Sequence, residues 1–167
     1  MKLMRKLKVG IAGFGVVGKR RFNFINMNQK LTVVGVCDKY ISKSFFENDV
    51  YYYNNYKDLF TLDLDILFVC LTNNIASEVT IAGLRNGLHV FCEKPPGMNV
   101  KHIQNVIDVE KQFPKLKLKY GFNHRYHDSI VKAKELIDSG KLGDIINLRG
   151  LYGKSRIIPY DGGWRSK

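Results

Sequence analysis

The sequence predicts an α/β fold, a doubly wound parallel sheet with helices on both faces, and three observations predict it. Short apolar, β-branched runs alternate with segments of helical spacing from residue 7 to residue 120. A glycine triplet, Gly13, Gly15 and Gly18, separates the first apolar run from the first helical segment. An acidic residue, Asp38, closes the second apolar run twenty residues after Gly18.

The elements follow in order. Leu7 to Ala12 reads as a strand, and Val16 to Asn28 as a helix spaced on Val17, Phe22 and Ile25. Leu31 to Cys37 has the composition of a strand buried on both faces. A short strand Val50 to Tyr53, a helical turn around Tyr56 to Phe60, a strand Asp65 to Leu71 and a helix Ile75 to Asn86 come next, with Gly87 as the helix C-cap. Leu88 to Cys92 is a fifth strand, Val100 to Lys111 a helix ended near Pro114, and Leu116 to Tyr120 a sixth strand. At Gly121 the character shifts. A polar cluster, Asn123 to His127, precedes a helix Ser129 to Ser139 that Asp128 is expected to cap, and a strand Asp144 to Tyr152 leads into a loop. These boundaries give a first domain over residues 1–121 and the start of a truncated α+β second domain over 122–167.

Composition excludes several function classes. With 45% apolar and 25% charged residues in 167, the chain has the make-up of a folded domain. Its longest apolar run, Ile66 to Leu71, is far short of the roughly 20 residues that cross a bilayer. The basic N-terminus leads into a strand and a glycine turn rather than an apolar signal segment, which reads as a cytoplasmic start. Cys37, Cys70 and Cys92 lack a C-x-x-C spacing and read as buried reduced thiols; no metal cluster is predicted. The net charge of +12 is spread over the N-terminal arm, Lys19-Arg20-Arg21 and Lys111, Lys115, Lys117 and Lys119, without a nucleic-acid motif. It suits attraction of phosphorylated cofactors and anionic substrates, or a solvated surface.

A strand-to-helix glycine loop is built for a dinucleotide. Gly13 permits the tight turn, Gly15 lets backbone approach a pyrophosphate, and Gly18 lets helix and strand pack closely; Phe14, Val16 and Val17 complete the loop. Asp38 can accept hydrogen bonds from the adenosine ribose and would repel a 2′-phosphate, so NAD is the favoured cofactor. Lys39 and Lys43 follow at once and could offset that repulsion, which keeps NADP as the alternative.

Six motifs in register carry a further resemblance. They are Val9-Gly10-Ile11-Ala12-Gly13-Phe14-Gly15 with Gly18; Val36-Cys37-Asp38; Val69-Cys70 followed by Asn73-Asn74; Gly87-Leu88-His89-Val90-Phe91-Cys92-Glu93-Lys94-Pro95; Asn123-His124-Arg125-Tyr126; and Ala133 to Gly143. In these the chain resembles the glucose-fructose oxidoreductase and inositol dehydrogenase family, the Gfo/Idh/MocA family. The resemblance implies an NAD-dependent sugar or nucleotide-sugar oxidoreductase. It assigns Lys94 to the nicotinamide and to the hydroxyl that is oxidised, makes Glu93 a cofactor-contacting acid, and adds Leu71 and Asn73 as cofactor neighbours. Asn123 and Arg125 match a segment that can reach substrate, and Tyr152 and Trp164 could stack on a sugar.

The chain departs from the family pattern at Leu71-Thr72, where Thr-Pro is usual, at Ala76, often a histidine, and at Pro96, usually aliphatic. Family members continue into a second domain with a D-x-G-x-H segment that takes the substrate proton, whereas this sequence ends at Lys167. The expectation is an N-terminal part that holds NAD; the alternative is a cofactor-binding module without catalysis of its own. Association with a second copy is a further expected partnership.

Overall fold

The computed structural model describes residues 5–151 and 153. Seven strands form one sheet in the order β3-β4-β2-β1-β5-β6-β7. They are β1 (Leu7–Ala12), β2 (Leu31–Cys37), β3 (Phe45–Glu47), β4 (Val50–Tyr53), β5 (Ile66–Val69), β6 (His89–Cys92) and β7 (Leu118–Tyr120). All neighbours are parallel except β3 and β4. Strand β1 is central, with Val9 opposite Val33 of β2 and Ile66 of β5. The chain winds outward from β1 in both directions, so the crevice at the carboxyl ends of β1 and β5 is the switch point where ligands bind in such sheets.

Alternation along the strands sorts the core onto two faces. Val9 and Ile11 face one way with Val33, Val36, Val50 and Ile25 of helix α1 (Val16–Asn26). Ala12 faces the other way with Leu67, Val69 and Val90, against Val79 and Leu84 of α2 (Asn73–Arg85) and Val109 of α3 (Val100–Glu110). A 3₁₀ turn, Tyr56–Thr61, plugs this second face with the fully buried Leu59. Gly83 of α2 lets that helix approach the sheet, since a Cβ there would stand 2.9 Å from Leu67.

Every strand predicted up to residue 120 is present, β1, β2 and β4 to the residue and β5, β6 and β7 shorter by one to three residues, and β3 is an additional strand. Between β2 and β4 a parallel pair needs a return crossing, usually made by a helix. Here the short β3 makes that crossing at the sheet edge, joined to β4 by a two-residue turn with Asn48 at φ 49° and Asp49 at φ 62°. Both are residue types that tolerate the left-handed region such a hairpin requires.

The chain divides after Phe122. The second unit holds a 3₁₀ turn, Asn123–Tyr126, and helix α4 (Asp128–Asp138). Two expectations are corrected there. His127, not Asp128, is the N-cap; Asp128 is the first helical residue and acts through its charge on the positive helix end. Residues 144–151 form no strand, because no other strand among the described residues supplies a ladder for them. Tyr152, the predicted end of that strand, lies outside the described residues.

Candidate cofactor site

Hydrogen bonds run one residue past each strand and align the site residues along the carboxyl edge. Gly13 N–H donates to Cys37 O (2.9 Å), Asp38 N–H to Tyr53 O (3.0 Å), Cys70 N–H to Ala12 O (2.7 Å), Glu93 N–H to Val69 O (2.8 Å) and Gly121 N–H to Cys92 O (2.9 Å). The glycine turn, the acid after β2 and the Glu93-Lys94-Pro95 segment after β6 thus occupy one edge of one sheet.

The three glycines are constrained differently. Gly13 sits at φ +94°, and a Cβ on it would stand 2.5 Å from the Cys70 carbonyl oxygen. A Cβ on Gly18 would stand 1.9 Å from the Gly13 carbonyl oxygen, so this glycine permits α1 to pack on the turn. Around Gly15 nothing lies within 4 Å, and its backbone, at φ −73°, is one any residue adopts. Structure alone does not require glycine at 15, and the position is open to an approaching ligand.

Helix α1 begins at that open position without a side-chain cap and with no acidic residue in its first turn. Val16 and Val17 are exposed there. Free N–H groups and the positive end of the helix dipole fit an anionic pyrophosphate. The open backbone at Gly15, Val16 and Val17 therefore fits the pyrophosphate of NAD.

Asp38 holds the turn as well as facing the crevice. Its Oδ2 accepts the Phe14 N–H at 2.8 Å and its Oδ1 the Tyr40 N–H at 3.1 Å. Two of roughly four acceptor positions are used, which leaves a lone pair on each oxygen for ribose hydroxyls. Phe14 has its N–H committed to Asp38 and packs its ring edge-on against Phe22 and Tyr52. Lys39 is exposed, with its ammonium 5.0 Å from the Tyr40 ring centroid. Leu71 lies against the glycine turn, and the half-buried Asn73 opens α2.

Glu93 has a partner that the sequence reading did not single out. Arg21 of α1 donates from Nε to Glu93 Oε1 at 2.8 Å and from Nη2 to the same oxygen, forming an ion pair. Its guanidinium also sits 4.9 Å from the Phe91 ring centroid. Arg21 follows Gly18 by three residues, so it shares the sheet-facing side of α1; that spacing was the available signal. Gly121 makes room for the pair, since a Cβ there would stand 2.7 Å from Glu93 Oε2. The ion pair ties the segment bearing Lys94 to the helix bearing the phosphate cradle.

Lys94 itself is exposed, and the Lys94-Pro95 peptide is cis. Asn123 and Arg125 are exposed in the second unit, where Arg125 lines a groove of about 510 Å³ with Ile130, Val131, Lys134, Glu135 and Asp138. Tyr152 and Trp164 lie outside the described residues.

The three cysteines are free thiols. Burial pushes Cys37 and Cys70 up to about 12, Glu93 adding to the effect at Cys70, and burial pushes Cys92 up to about 11. They line the cofactor edge as small apolar side chains and not as nucleophiles.

A family model described as "Oxidoreductase family, NAD-binding Rossmann fold" matches residues 7–122. The chain belongs to the Gfo/Idh/MocA oxidoreductase family. An inositol 2-dehydrogenase from Salmonella typhimurium is 31% identical over 160 residues, which cover 92% of this chain and 48% of the relative. A D-glucoside 3-dehydrogenase from Escherichia coli is 30% identical over 145 residues, 83% of this chain and 41% of the relative. The crystal structure of scyllo-inositol dehydrogenase from Lactobacillus casei with bound NAD(H) and scyllo-inositol superposes with a TM-score of 0.75 at 29% identity, over 84% of this chain and 43% of that one. This chain spans about half the length of the curated relatives it matches. It carries the family's NAD-binding Rossmann domain, and no helix among the described residues is long and apolar enough to cross a membrane.

Proposed function

We propose that this chain is the cofactor-holding part of an NAD-dependent oxidoreductase that moves hydride between a hydroxyl-bearing ring carbon of a cyclic polyol, sugar or nucleotide sugar and nicotinamide. The observation that carries this reading is the placement of the open Gly15 cradle, Asp38 and Glu93-Lys94-Pro95 on one sheet edge, with Arg21 tying the last to the first. The relatives' activities on inositols and glucosides supply the substrate class.

Bound NAD supplies the hydride acceptor. Gly15, Val16 and Val17 would hold its pyrophosphate and Asp38 its adenosine ribose, and Glu93, Leu71 and Asn73 would be its further contacts. Lys94, with three donors on a flexible stem, orients the substrate hydroxyl by donating to its oxygen. Asn123, Arg125, Tyr152 and Trp164 remain candidates for contacts to the rest of the substrate.

Oxidation of a carbinol also releases the hydroxyl proton, which needs a base. The first unit's histidines do not stand at the carboxyl edge. His89 opens β6 at the opposite end, with Nδ1 accepting the Lys117 N–H, and His102 lies on α3. This observation favours a second reading for the first unit taken alone, a cofactor-binding module without turnover.

Titration with NAD and NADP, followed by NADH formation across inositols, glucosides and nucleotide sugars, separates the readings. Turnover that Lys94→Met abolishes supports the oxidoreductase. Dinucleotide binding without turnover supports the module, and failure to bind either dinucleotide overturns both.

A further inference from the structure

We propose that the exposed edge strand β3 is a self-association surface, on which a second copy of this chain pairs antiparallel across a twofold axis and joins the two sheets edge to edge. This inference is independent of the catalytic reading.

The edge is unusually open. The return from β2 to β4 is made by β3 and not by a covering helix, so Phe45, Phe46 and Glu47 are all exposed on a strand that, among the described residues, is hydrogen-bonded on one side only. The opposite edge strand, β7, carries Lys119 and is preceded by Lys115 and Lys117, and lysine is a usual guard against strand addition. Within β3 itself there is no lysine and no proline.

Backbone geometry and charge choose the occupant and the register. The two-residue turn at Asn48-Asp49 makes Glu47 and Val50 a hydrogen-bonded pair, so Phe45 also points its polar groups toward β4. The groups of Ser44 and Phe46 then point outward. Antiparallel pairing centred on Phe45 sets Ser44 of each copy against Phe46 of the other, satisfying all four outward donors and acceptors of each strand. Carried two residues before β3 to the bend at Lys43, the same register brings Lys43 toward Glu47 twice, once on each side of the axis; both residues are exposed. Moving the centre to Phe46 would put each Glu47 against an aromatic Phe45, and moving it to Ser44 would put each Lys43 there.

The centred register also continues a ring ladder already present. Phe45 stacks on Tyr52 with centroids 4.4 Å apart, and Tyr52 meets Phe14 at 6.0 Å, beside the cofactor turn. The two Phe45 rings would meet at the axis and extend that ladder from copy to copy. Such a contact is isologous and consumes the open edge of both chains, so it closes at two and does not propagate. Its short strand predicts a small interface and weak, concentration-dependent association.

Sedimentation velocity over a wide concentration range tests this, with charge variants of the 167-residue chain. The wild type is expected to shift from monomer to dimer. Glu47→Lys alone and Lys43→Glu alone each set like charges opposite one another and raise the dissociation constant by about tenfold or more. Mixing these two variants, or combining both substitutions in one chain, restores opposite charges and restores the dimer. Amide exchange at Ser44 and Phe46 slows with concentration while that at Phe45 does not. Because these side chains are exposed, thermal midpoints report that each variant stays folded. A chain monomeric at all concentrations overturns the proposal, as does a dimer indifferent to the charge swap, which would place the contact elsewhere.

Discussion

Gly15→Ala and Gly18→Ala are expected to separate holding the cofactor from holding the fold. At Gly15 the added methyl meets nothing within 4 Å and the backbone, at φ −73°, needs no adjustment. Losing glycine at a helix N-cap costs about 0.5–1 kcal/mol, and restricting the unfolded chain returns about 0.4–1 kcal/mol, so the net change is within about 0.5 kcal/mol. The thermal midpoint should move by less than about 2 °C. The methyl does, however, project where backbone and pyrophosphate would meet. Loss of one charge-assisted hydrogen bond, about 1.5–3 kcal/mol, weakens NAD binding by at least about tenfold. At Gly18 the same methyl would sit 1.9 Å from a backbone oxygen that cannot retreat without unseating the turn. The expected cost exceeds about 3 kcal/mol, a midpoint drop of roughly 6–12 °C for a chain of this size. Thermal unfolding and calorimetric titration with NAD read the two effects separately. Equal destabilisation by both substitutions, or unchanged NAD affinity in Gly15→Ala, would refute the reasoning.

Further outcomes follow from the same edge. Asp38→Asn keeps one acceptor oxygen, so it should weaken NAD binding about tenfold and narrow the preference for NAD over NADP, as titration with each will show; Asp38→Ala should also destabilise the turn by about 1–3 kcal/mol, because it strands the Phe14 N–H. Arg21→Ala leaves Glu93 half-buried without its countercharge and should cost about 1–2 kcal/mol in urea unfolding, most of it recovered in the double variant Arg21→Ala/Glu93→Gln. The buried thiols should react slowly with a disulfide reagent near pH 8 in the native state, and all three should react once the chain is unfolded. Their folded values of about 11 to 12 lie above the ordinary 9.0, so the unfolded chain loses these protons first. The stability they contribute is complete below about pH 9 and is lost as pH rises toward 11 and 12, which the thermal midpoint measured from pH 8 to 11 will show as a decline.

Local pattern made most of the cofactor half legible. The β-branched runs of β1 and β2, the glycines at their junction and the C-cap Gly87, at φ +76°, each depend on neighbours within a few residues. Strand β3 escaped because Phe45 and Phe46 are too short a run to show a period, and the turn is Asn-Asp rather than the stronger Asn-Gly. The Arg21–Glu93 pair spans 72 residues, a contact only the fold can create. Asp144 to Tyr152 has strand composition, but β propensity expresses packing against neighbouring strands, and among the described residues no strand pairs with residues 144–151. Lys94 follows β6, whose Val90 and Cys92 are buried, yet burial of the strand does not extend to the side chain that comes after it.

The most direct test of the central claim, that this sheet edge is built to hold NAD, is calorimetric titration of the 167-residue chain with NAD and with NADP. The structure predicts saturable NAD binding, with NADP weaker by about tenfold because its 2′-phosphate meets the Asp38 carboxylate. No binding of either dinucleotide, or NADP bound as tightly as NAD, would contradict it.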